Sequence, residues 1–153
     1  MLQAGQQAPD FNLLNEKGEN VTLADFSGQK VVLYFYPKDD TPGCTTQACS
    51  YRDHFDQFVN RGYQIIGISK DDLKSHQKFQ EKYELNFTLL SDPDTTVIQE
   101  YGCWKEKSLY GKKYMGTART TFILDESSKI VKIFENVDPK SDVQQVLTFI
   151  DSM

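Results

Sequence analysis

The stretch that begins at Pro37, with the sequence PKDDTPGCTT, combines the residue types and spacing best suited to chemistry. A buried strand is expected to end there, and Cys44 then falls in the first turn of a predicted helix. If Thr41 is the N-cap, Pro42 takes the first helical position, where its missing N–H is no loss. Gly43 and Cys44 then present N–H groups without a helical acceptor, and these donors and the helix dipole stabilise a thiolate. The context fits either a reactive nucleophile or a buried cysteine near a helix start.

A second cysteine, Cys49, follows Cys44 five residues later. In a regular helix, a rise of about 7.5 Å and a rotation of about 140° place the two Cα atoms roughly 8.5 Å apart. A disulfide needs a Cα separation of about 4.4–6.8 Å, so the pair cannot form one while the helix is intact. The spacing suits a thiol that is first oxidised to a sulfenic acid and is captured by the second thiol after the helix unwinds. Alternatively, Cys49 is a core residue beside Ala48.

The elements that must position this stretch alternate between strands and helices along 153 residues, about the size of one domain. The apolar patterns predict strands over residues 11–14, 21–23, 31–36, 63–69, 87–90, 120–124 and 130–134, and helices over 45–61, 71–84, 96–101 and from 141 onwards. A capping box of Ser141 and Gln144 is expected to start the last helix. The order predicts a single α/β domain over 1–153, with helices flanking a mixed central β-sheet and an N-terminal β-hairpin.

Composition and charge argue against several classes of partner. The 17 Lys and Arg against 22 Asp and Glu leave a net charge of −5, which disfavours nucleic acid or an anionic membrane as the main partner. The longest apolar run, residues 31–36, is far shorter than the roughly 20 residues that span a bilayer. The N-terminal sequence lacks a basic flank and an apolar stretch, and the three cysteines are an odd number for a paired extracellular framework. A reducing, cytoplasmic compartment is therefore expected, in which a reactive thiol is catalytic or metal-binding.

The pattern Pro37-x-x-x-Thr41-x-x-Cys44 resembles the active-site motif of the peroxiredoxins. The longer stretch PKDDTPGCTTQACSYRD resembles the bacterioferritin-comigratory-protein or PrxQ branch of that family, and the likeness continues through YGCW at 101–104 and RTTFILD at 119–125. The resemblance implies a thioredoxin-like fold, a peroxide substrate, no cofactor and no metal. It further implies an antioxidant thiol peroxidase of hydrogen peroxide and organic hydroperoxides, recycled by thioredoxin or a similar dithiol protein, and a monomer.

The same resemblance implies a role for each matching residue. The site would consist of the peroxidatic nucleophile Cys44, the resolving thiol Cys49, the polar partners Thr41 and Arg119, and the pocket residues Pro37, Pro42 and Gly43. Arg119 can stabilise the thiolate and hold the leaving oxygen without losing its charge. The Thr41 hydroxyl can donate to the peroxide while it accepts a hydrogen bond from elsewhere.

Three residues depart from the family's pattern, of which Ser128, in place of a glycine in the hairpin after the Phe122 strand, is expected to change only the turn. Gln47 stands where the family often has Glu, which puts in doubt what a carboxylate would contribute there. Cys103 lies outside the usual cysteine positions and is expected to be a packed small residue.

The same residues could serve other functions, for which the sequence offers weaker support. A zinc site built from the three cysteines, His54 and His76 has no matching ligand spacing, and His76 is expected to be partly packed. A thioredoxin-like disulfide exchanger would favour a C-x-x-C pair, which the sequence lacks, and a metal-binding or redox-sensing module is a further alternative. The basic and aromatic residues at 104–114 are expected to form a solvated loop rather than a nucleic-acid site.

Overall fold

The computed structural model describes residues 2–153, and its strands and helices follow the expected alternation. In chain order they are β1 (Asn12–Asn15), β2 (Asn20–Thr22), β3 (Lys30–Phe35), α1 (Pro42–Asp53), α2 (Phe55–Asn60), β4 (Tyr63–Ser69), α3 (Leu73–Tyr83), β5 (Thr88–Ser91), α4 (Thr96–Glu100), β6 (Trp104–Leu109), β7 (Lys112–Thr117), β8 (Thr120–Leu124), β9 (Ile130–Phe134) and α5 (Asp142–Asp151). A 3-10 turn, Leu23–Phe26, follows β2.

Within the described range, seven strands form one mixed sheet in the order β2-β1-β5-β4-β3-β8-β9. β3, β4 and β5 are parallel, whereas β8 runs antiparallel beside β3, and β1 and β2 form the expected N-terminal hairpin. Alternate residues of the β3 segment face two separate cores, with Val32, Tyr34 and Tyr36 on one side of the sheet and Val31, Leu33 and Phe35 on the other. The unbroken apolar run at 31–36 therefore marks a strand that is covered on both faces.

The register between β3 and β8 brings together two segments that are distant in sequence. Phe35, at the end of β3, pairs with Thr120, at the start of β8. The helix that carries Cys44 begins a few residues beyond β3, and Arg119 immediately precedes β8. Antiparallel pairing thus places Arg119 beside the start of α1.

The helix predicted over 45–61 is wrong in one respect, because the structure divides it into α1 and α2 at His54. The His54 ring nitrogen Nδ1 lies 2.8 Å from the Ser50 carbonyl oxygen, which also accepts from the backbone N–H of His54. His54 leaves helical geometry with φ −103° and ψ 12°. The break lets α2 pack Phe58 into the core over β4.

The solvated loop expected at 104–114 is instead part of a two-stranded hairpin, β6 and β7, which forms its own small sheet. Tyr110 and Gly111 connect the strands with positive φ angles of 52° and 78°. Two successive left-handed residues make a turn whose twist matches an antiparallel hairpin. Most side chains of the hairpin are exposed, so its sequence lacks the apolar alternation of a half-buried strand.

The capping box expected at α5 is also wrong. Ser141 is the N-cap, but its backbone angles of −121° and −1° are not extended, and its side chain makes no capping hydrogen bond. The Gln144 amide donates to Thr148 Oγ1 instead. The inward face of α5 is as predicted, with Val143, Val146, Leu147 and Ile150 all buried.

No helix within residues 2–153 is both long enough and apolar enough to cross a bilayer.

Candidate active site

The first turn of α1 has the geometry expected from the sequence. Thr41 is the N-cap with extended backbone angles, φ −101° and ψ 156°, and Pro42 follows at the first helical position. The Thr41 side chain does not cap the helix, since its hydroxyl donates to the Lys38 carbonyl oxygen at 2.9 Å. The N–H groups of Gly43 and Cys44 therefore remain directed beyond the helix start, where they favour an anion.

The hydrogen bond that the Thr41 hydroxyl donates to Lys38 affects whether this hydroxyl can donate to a peroxide. We expected the hydroxyl to donate to a peroxide, but its proton already points to Lys38. A hydroxyl has one proton and two lone pairs, so Thr41 can still accept a hydrogen bond from a peroxide O–H.

Arg119 lies directly against the thiol of Cys44. Its Nη2 is 3.3 Å from Cys44 Sγ, and Cys44 is only 1% exposed. The neighbouring Nη1 donates to Gln47 Oε1 at 3.1 Å, which fixes the plane of the guanidinium. A guanidinium keeps its positive charge when it is half-buried, so a thiolate at Cys44 has a permanent counter-charge.

Gly43 is required by the close approach of Arg119. A Cβ at this position would lie 2.8 Å from Arg119 Nη2 and 3.4 Å from Pro139 Cγ, and the first distance is too short for a real contact. Pro37 is half-buried where β3 ends, and Pro42 is exposed at the helix start. Of the three pocket residues expected from the sequence, Gly43 lies against Arg119, and a pocket role for Pro37 and Pro42 stays a prediction.

A buried network behind Arg119 was not predicted. The Gln47 amide donates to Asp142 Oδ2 at 3.0 Å, and the same oxygen accepts from Tyr51 at 2.6 Å and Thr121 at 3.0 Å. Asp142 is 0% exposed, and burial together with this carboxylate raises the pKa of Tyr51 well above its ordinary value. Tyr51 therefore stays protonated as a donor.

Gln47 links the two charges of this network. Its amide oxygen accepts from Arg119 while its amide nitrogen donates to Asp142, which an ionised carboxylate could not do. A glutamate at this position would face the Asp142 carboxylate without a proton to donate. The amide of Gln47 therefore suits a site where the neighbouring carboxylate belongs to Asp142. In the sequence, Asp142 is recognisable only as an acidic residue in the first turn of a helix, which gives no sign of this contact.

Cys49 is half-buried in the same uninterrupted helix as Cys44, and both are free thiols. A continuous α-helix keeps residues five apart at roughly 8.5 Å between Cα atoms, beyond the reach of a disulfide. A bond between these two sulfurs therefore requires α1 to unwind locally.

Cys103 is remote from this chemistry. It is 0% exposed in the core on the other side of the sheet from Cys44, and its thiol donates to the Tyr101 carbonyl oxygen at 3.5 Å. Burial raises the pKa of Cys103 to about 11, which keeps the thiol protonated and unreactive. Its position agrees with the expectation of a packed small residue.

His76 is more deeply buried than expected and forms an ion pair with Asp39. Its Nδ1 lies 2.6 Å from Asp39 Oδ2 and its Nε2 lies 3.0 Å from the Leu90 carbonyl oxygen. Both partners are acceptors, so both hydrogen bonds are satisfied when the ring carries a proton on each nitrogen. Asp71 completes a group whose ligand-type atoms lie within 4.8 Å of one another, and a metal bound there would have to displace a proton from the ring. The cysteines and His54 considered as zinc ligands do not belong to this group.

Comparisons with known proteins point to one family. Residues 4–133 match the family model described as the AhpC/TSA family. The chain is 45% identical over 149 residues to peroxiredoxin Bcp of Escherichia coli, which covers 97% of this chain and 96% of that protein. It is 42% identical over 152 residues to peroxiredoxin Bcp of Bacillus subtilis, which covers 99% of this chain and 97% of that protein.

A solved structure supports the same assignment. The bacterioferritin comigratory protein of Xanthomonas campestris, described for its alkyl peroxide reduction activity, superposes with a TM-score of 0.91 at 33% identity and covers 98% of each chain. This neighbour confirms the expected thioredoxin-like α/β fold.

Proposed function

The chain belongs to the AhpC/TSA family, as a thiol peroxidase of the Bcp/PrxQ type, and on that premise we propose that Cys44 is the thiol that peroxide oxidises and Cys49 the thiol that resolves it. The observation that carries the proposal is the Arg119 guanidinium, 3.3 Å from Cys44 Sγ at the uncapped start of α1. The thiol of Cys103 contacts a backbone carbonyl rather than a cation, and Cys49 has no such helix position.

In the first step, the Cys44 thiolate attacks one peroxide oxygen in line with the O–O bond. The S–O bond forms as the O–O bond breaks, and the departing alkoxide or hydroxide takes up a proton. Cys44 is oxidised by two electrons to the sulfenic acid, and the peroxide is reduced to an alcohol or water. Negative charge moves from sulfur to oxygen, so Arg119 and the N–H groups of Gly43 and Cys44 can stabilise it throughout.

In the second step, the Cys49 thiolate attacks the sulfur of the Cys44 sulfenic acid. A disulfide forms, and the hydroxyl leaves as hydroxide, which is protonated to water. Because α1 is continuous from Pro42 to Asp53, this step includes local unwinding of the helix. The disulfide is then reduced by a dithiol protein of the thioredoxin type, which returns both thiols.

The remaining features of the proposal rest on charge and on the family. A net charge of −5 is consistent with a protein that does not bind nucleic acid. We place the protein in the cytoplasm, as a monomer that contributes to antioxidant defence and redox homeostasis.

The test is stopped-flow mixing of the reduced protein with hydrogen peroxide, followed by intrinsic fluorescence and thiol titration. Cys44→Ser should lose peroxide reduction, because removal of a covalent nucleophile typically costs about 10³-fold or more. Cys49→Ser should react once and accumulate a sulfenic acid that a dimedone-type reagent traps. Full turnover in Cys44→Ser would refute the nucleophile, and normal cycling of Cys49→Ser with thioredoxin would refute the resolving thiol. Cys103→Ser is the matched control and should cycle normally.

A further inference from the structure

The hairpin β6–β7 places one of its lysines differently from the others. Lys105, Lys112 and Lys113 are exposed, whereas Lys107 is half-buried. The stem of Lys107 lies across Gly116, where a Cβ would stand 3.2 Å from Lys107 Cδ and 3.3 Å from Cε. Gly116 is buried and pairs with Lys105 on the facing strand, so the absence of its side chain leaves the space that the Lys107 stem fills.

Lys107 shares a cleft with Arg119 and has no carboxylate partner among the described residues. Lys107 and Arg119 line the same cleft of about 350 Å³, together with Lys105, Glu106, Ala118, Asn136 and Val137. Burial, and then the positive charge of Arg119, lower the pKa of Lys107, whereas the charge of Cys44 acts in the opposite direction. Across residues 2–153, the ion pairs of this hairpin join Lys105 to Glu135 and Lys113 to Glu106, and none includes Lys107.

The balance of charge around the cleft therefore favours an additional anion. Of the three cations that line the cleft, Lys105 is paired with Glu135, and a thiolate at Cys44 would neutralise Arg119 and leave the charge of Lys107. Glu106 also borders the cleft, but its carboxylate is 3.7 Å from Lys113 Nζ on the neighbouring strand. Arg119 makes its side-chain hydrogen bonds with a thiol and an amide rather than with a carboxylate.

We propose that Lys107 is a specificity-determining residue that binds the carboxylate of an anionic organic hydroperoxide while the hydroperoxide group reacts at Cys44. The inference rests on the proposed function, because it takes Cys44 as the reacting thiol. Hydrogen peroxide and neutral hydroperoxides do not reach Lys107 with a charged group, so they gain nothing from it. The covalent step is unchanged, and Lys107 adds binding energy for one class of substrate.

The experiment compares two hydroperoxides that differ in a single charge. One is cumene hydroperoxide with a carboxylate on its ring, and the other is the methyl ester of the same compound. The rate constant for oxidation of the reduced protein is measured by stopped-flow fluorescence for each, near neutral pH. The ratio of the acid rate to the ester rate is the readout, because any general effect on Cys44 cancels in it.

Lys107→Met should lower this ratio by about three- to tenfold, the range expected for loss of one half-buried charge partner. Lys107→Arg should retain the ratio, because it retains the charge. Lys112→Met is the matched control, since Lys112 is an exposed lysine of the same hairpin that neither lines the cleft nor pairs with a carboxylate of the cleft, and its ratio should equal that of the unmodified protein. Raising the salt concentration from about 0.02 to about 0.5 M should lower the ratio of the unmodified protein and leave that of Lys107→Met unchanged.

An unchanged ratio in Lys107→Met would overturn the proposal. Equal losses for the acid, the ester and hydrogen peroxide would also overturn it, because they would show that Lys107 acts only on the thiolate. Hydrogen peroxide reports separately on the proposed function. If it fails to oxidise Cys44 in the unmodified protein, the peroxidase assignment of that thiol fails, whatever the ratio is.

Discussion

Replacing His76 with Phe tests whether a buried ion pair anchors the loop that leads to Cys44. Asp39, the partner of His76, lies in that loop, and its carboxylate also accepts from Tyr36 at 2.6 Å and from Ser75 at 2.8 Å. Burial by itself lowers the pKa of His76, but the hydrogen bond and charge of Asp39, with the Leu90 carbonyl and the charge of Asp71, outweigh it and raise the pKa above its ordinary value of 6.5. His76 is therefore charged over more of the neutral range than a free histidine.

The size of the effect follows from the geometry of the pair. At 2.6 Å and an effective dielectric constant of about 20, the gross attraction is about 6 kcal/mol. Desolvation of the buried ring offsets much of this attraction, so the net contribution of the pair is smaller. Removal of His76 alone leaves the charge of Asp39 buried, and we expect His76→Phe to lower the free energy of unfolding by about 3–5 kcal/mol. For a chain of this length, that corresponds to a fall in Tm of roughly 6–20 °C.

Urea denaturation of the reduced protein at about pH 6 and about pH 9 measures the effect and its sign. The pKa of His76 is higher in the folded state than in the unfolded state, so its stabilisation is fully present below a pH of about 6.5 and is lost as the pH rises through the folded-state pKa. The difference in unfolding free energy between the two proteins should therefore shrink at the higher pH. His54→Phe is the control, because His54 is half-buried and bonds only a backbone carbonyl. A loss below about 1 kcal/mol, or one that does not change with pH, would refute the charged pair.

Three further substitutions separate activity from stability. Gly43→Ala should displace the Arg119 guanidinium and lower kcat/KM for hydrogen peroxide by roughly ten- to a hundredfold. The urea midpoint should change little, because the far end of a flexible side chain can move aside. An unchanged rate would show that the contact is dispensable. Asp142→Asn should lower the free energy of unfolding by about 1.5–3 kcal/mol and reduce peroxide turnover, since three donors lose a charged acceptor; urea titration and stopped-flow rates check both parts. Cys103→Ala should keep its oxidation rate within about twofold, because a buried protonated thiol takes no part; a large loss of rate would contradict that separation.

The central strands of the main sheet could be predicted from the sequence because they are buried and rich in β-branched and aromatic residues. The strand from Tyr63 to Ser69 and both strands of the Thr120–Phe134 hairpin occur at their predicted bounds. β6 and β7 were missed because exposed strands carry no apolar alternation, and their signal reduces to Gly111 in a two-residue turn. The break at His54 was missed because apolar residues at helical spacing continue through it, as Phe55 and Phe58 show.

For the candidate site, too, residues set by local sequence could be predicted, whereas residues set by contacts between distant segments could not. The position of Cys44 in the first turn of a helix could be predicted because the N-cap and the proline at the first position are local features, but these features alone left open whether its thiol is reactive. Arg119 came only from the resemblance, since its contact with Cys44 depends on the β3–β8 register. Asp142 and His76 gave no usable signal, because a buried charge is recognisable only once its partners are known.

If Cys44 and Cys49 form the proposed disulfide, α1 has to unwind locally, and the contacts around it determine where the unwinding stops. Asp39 is held on both sides, because its side chain accepts from Tyr36, Ser75 and His76, and its backbone N–H donates to Asp71 Oδ2 at 2.8 Å. None of these bonds involves α1. The first turns of α1 are held differently, through Arg119 on Cys44 and through Gln47 on Asp142.

Formation of the Cys44–Cys49 disulfide must move Cys44 away from Arg119 and must also disturb Gln47, which lies between the two cysteines. We therefore expect hydrogen exchange to accelerate across residues 44–49 in the oxidised protein, while the amide of Asp39 keeps its protection because its acceptor on Asp71 is outside the unwound segment. Cys49→Ser treated with the same oxidant is the control, since it forms no intramolecular disulfide and should retain the exchange pattern of the reduced protein in α1. If the Asp39 amide also loses protection, the unwinding spreads into the loop and the His76 ion pair does not limit it.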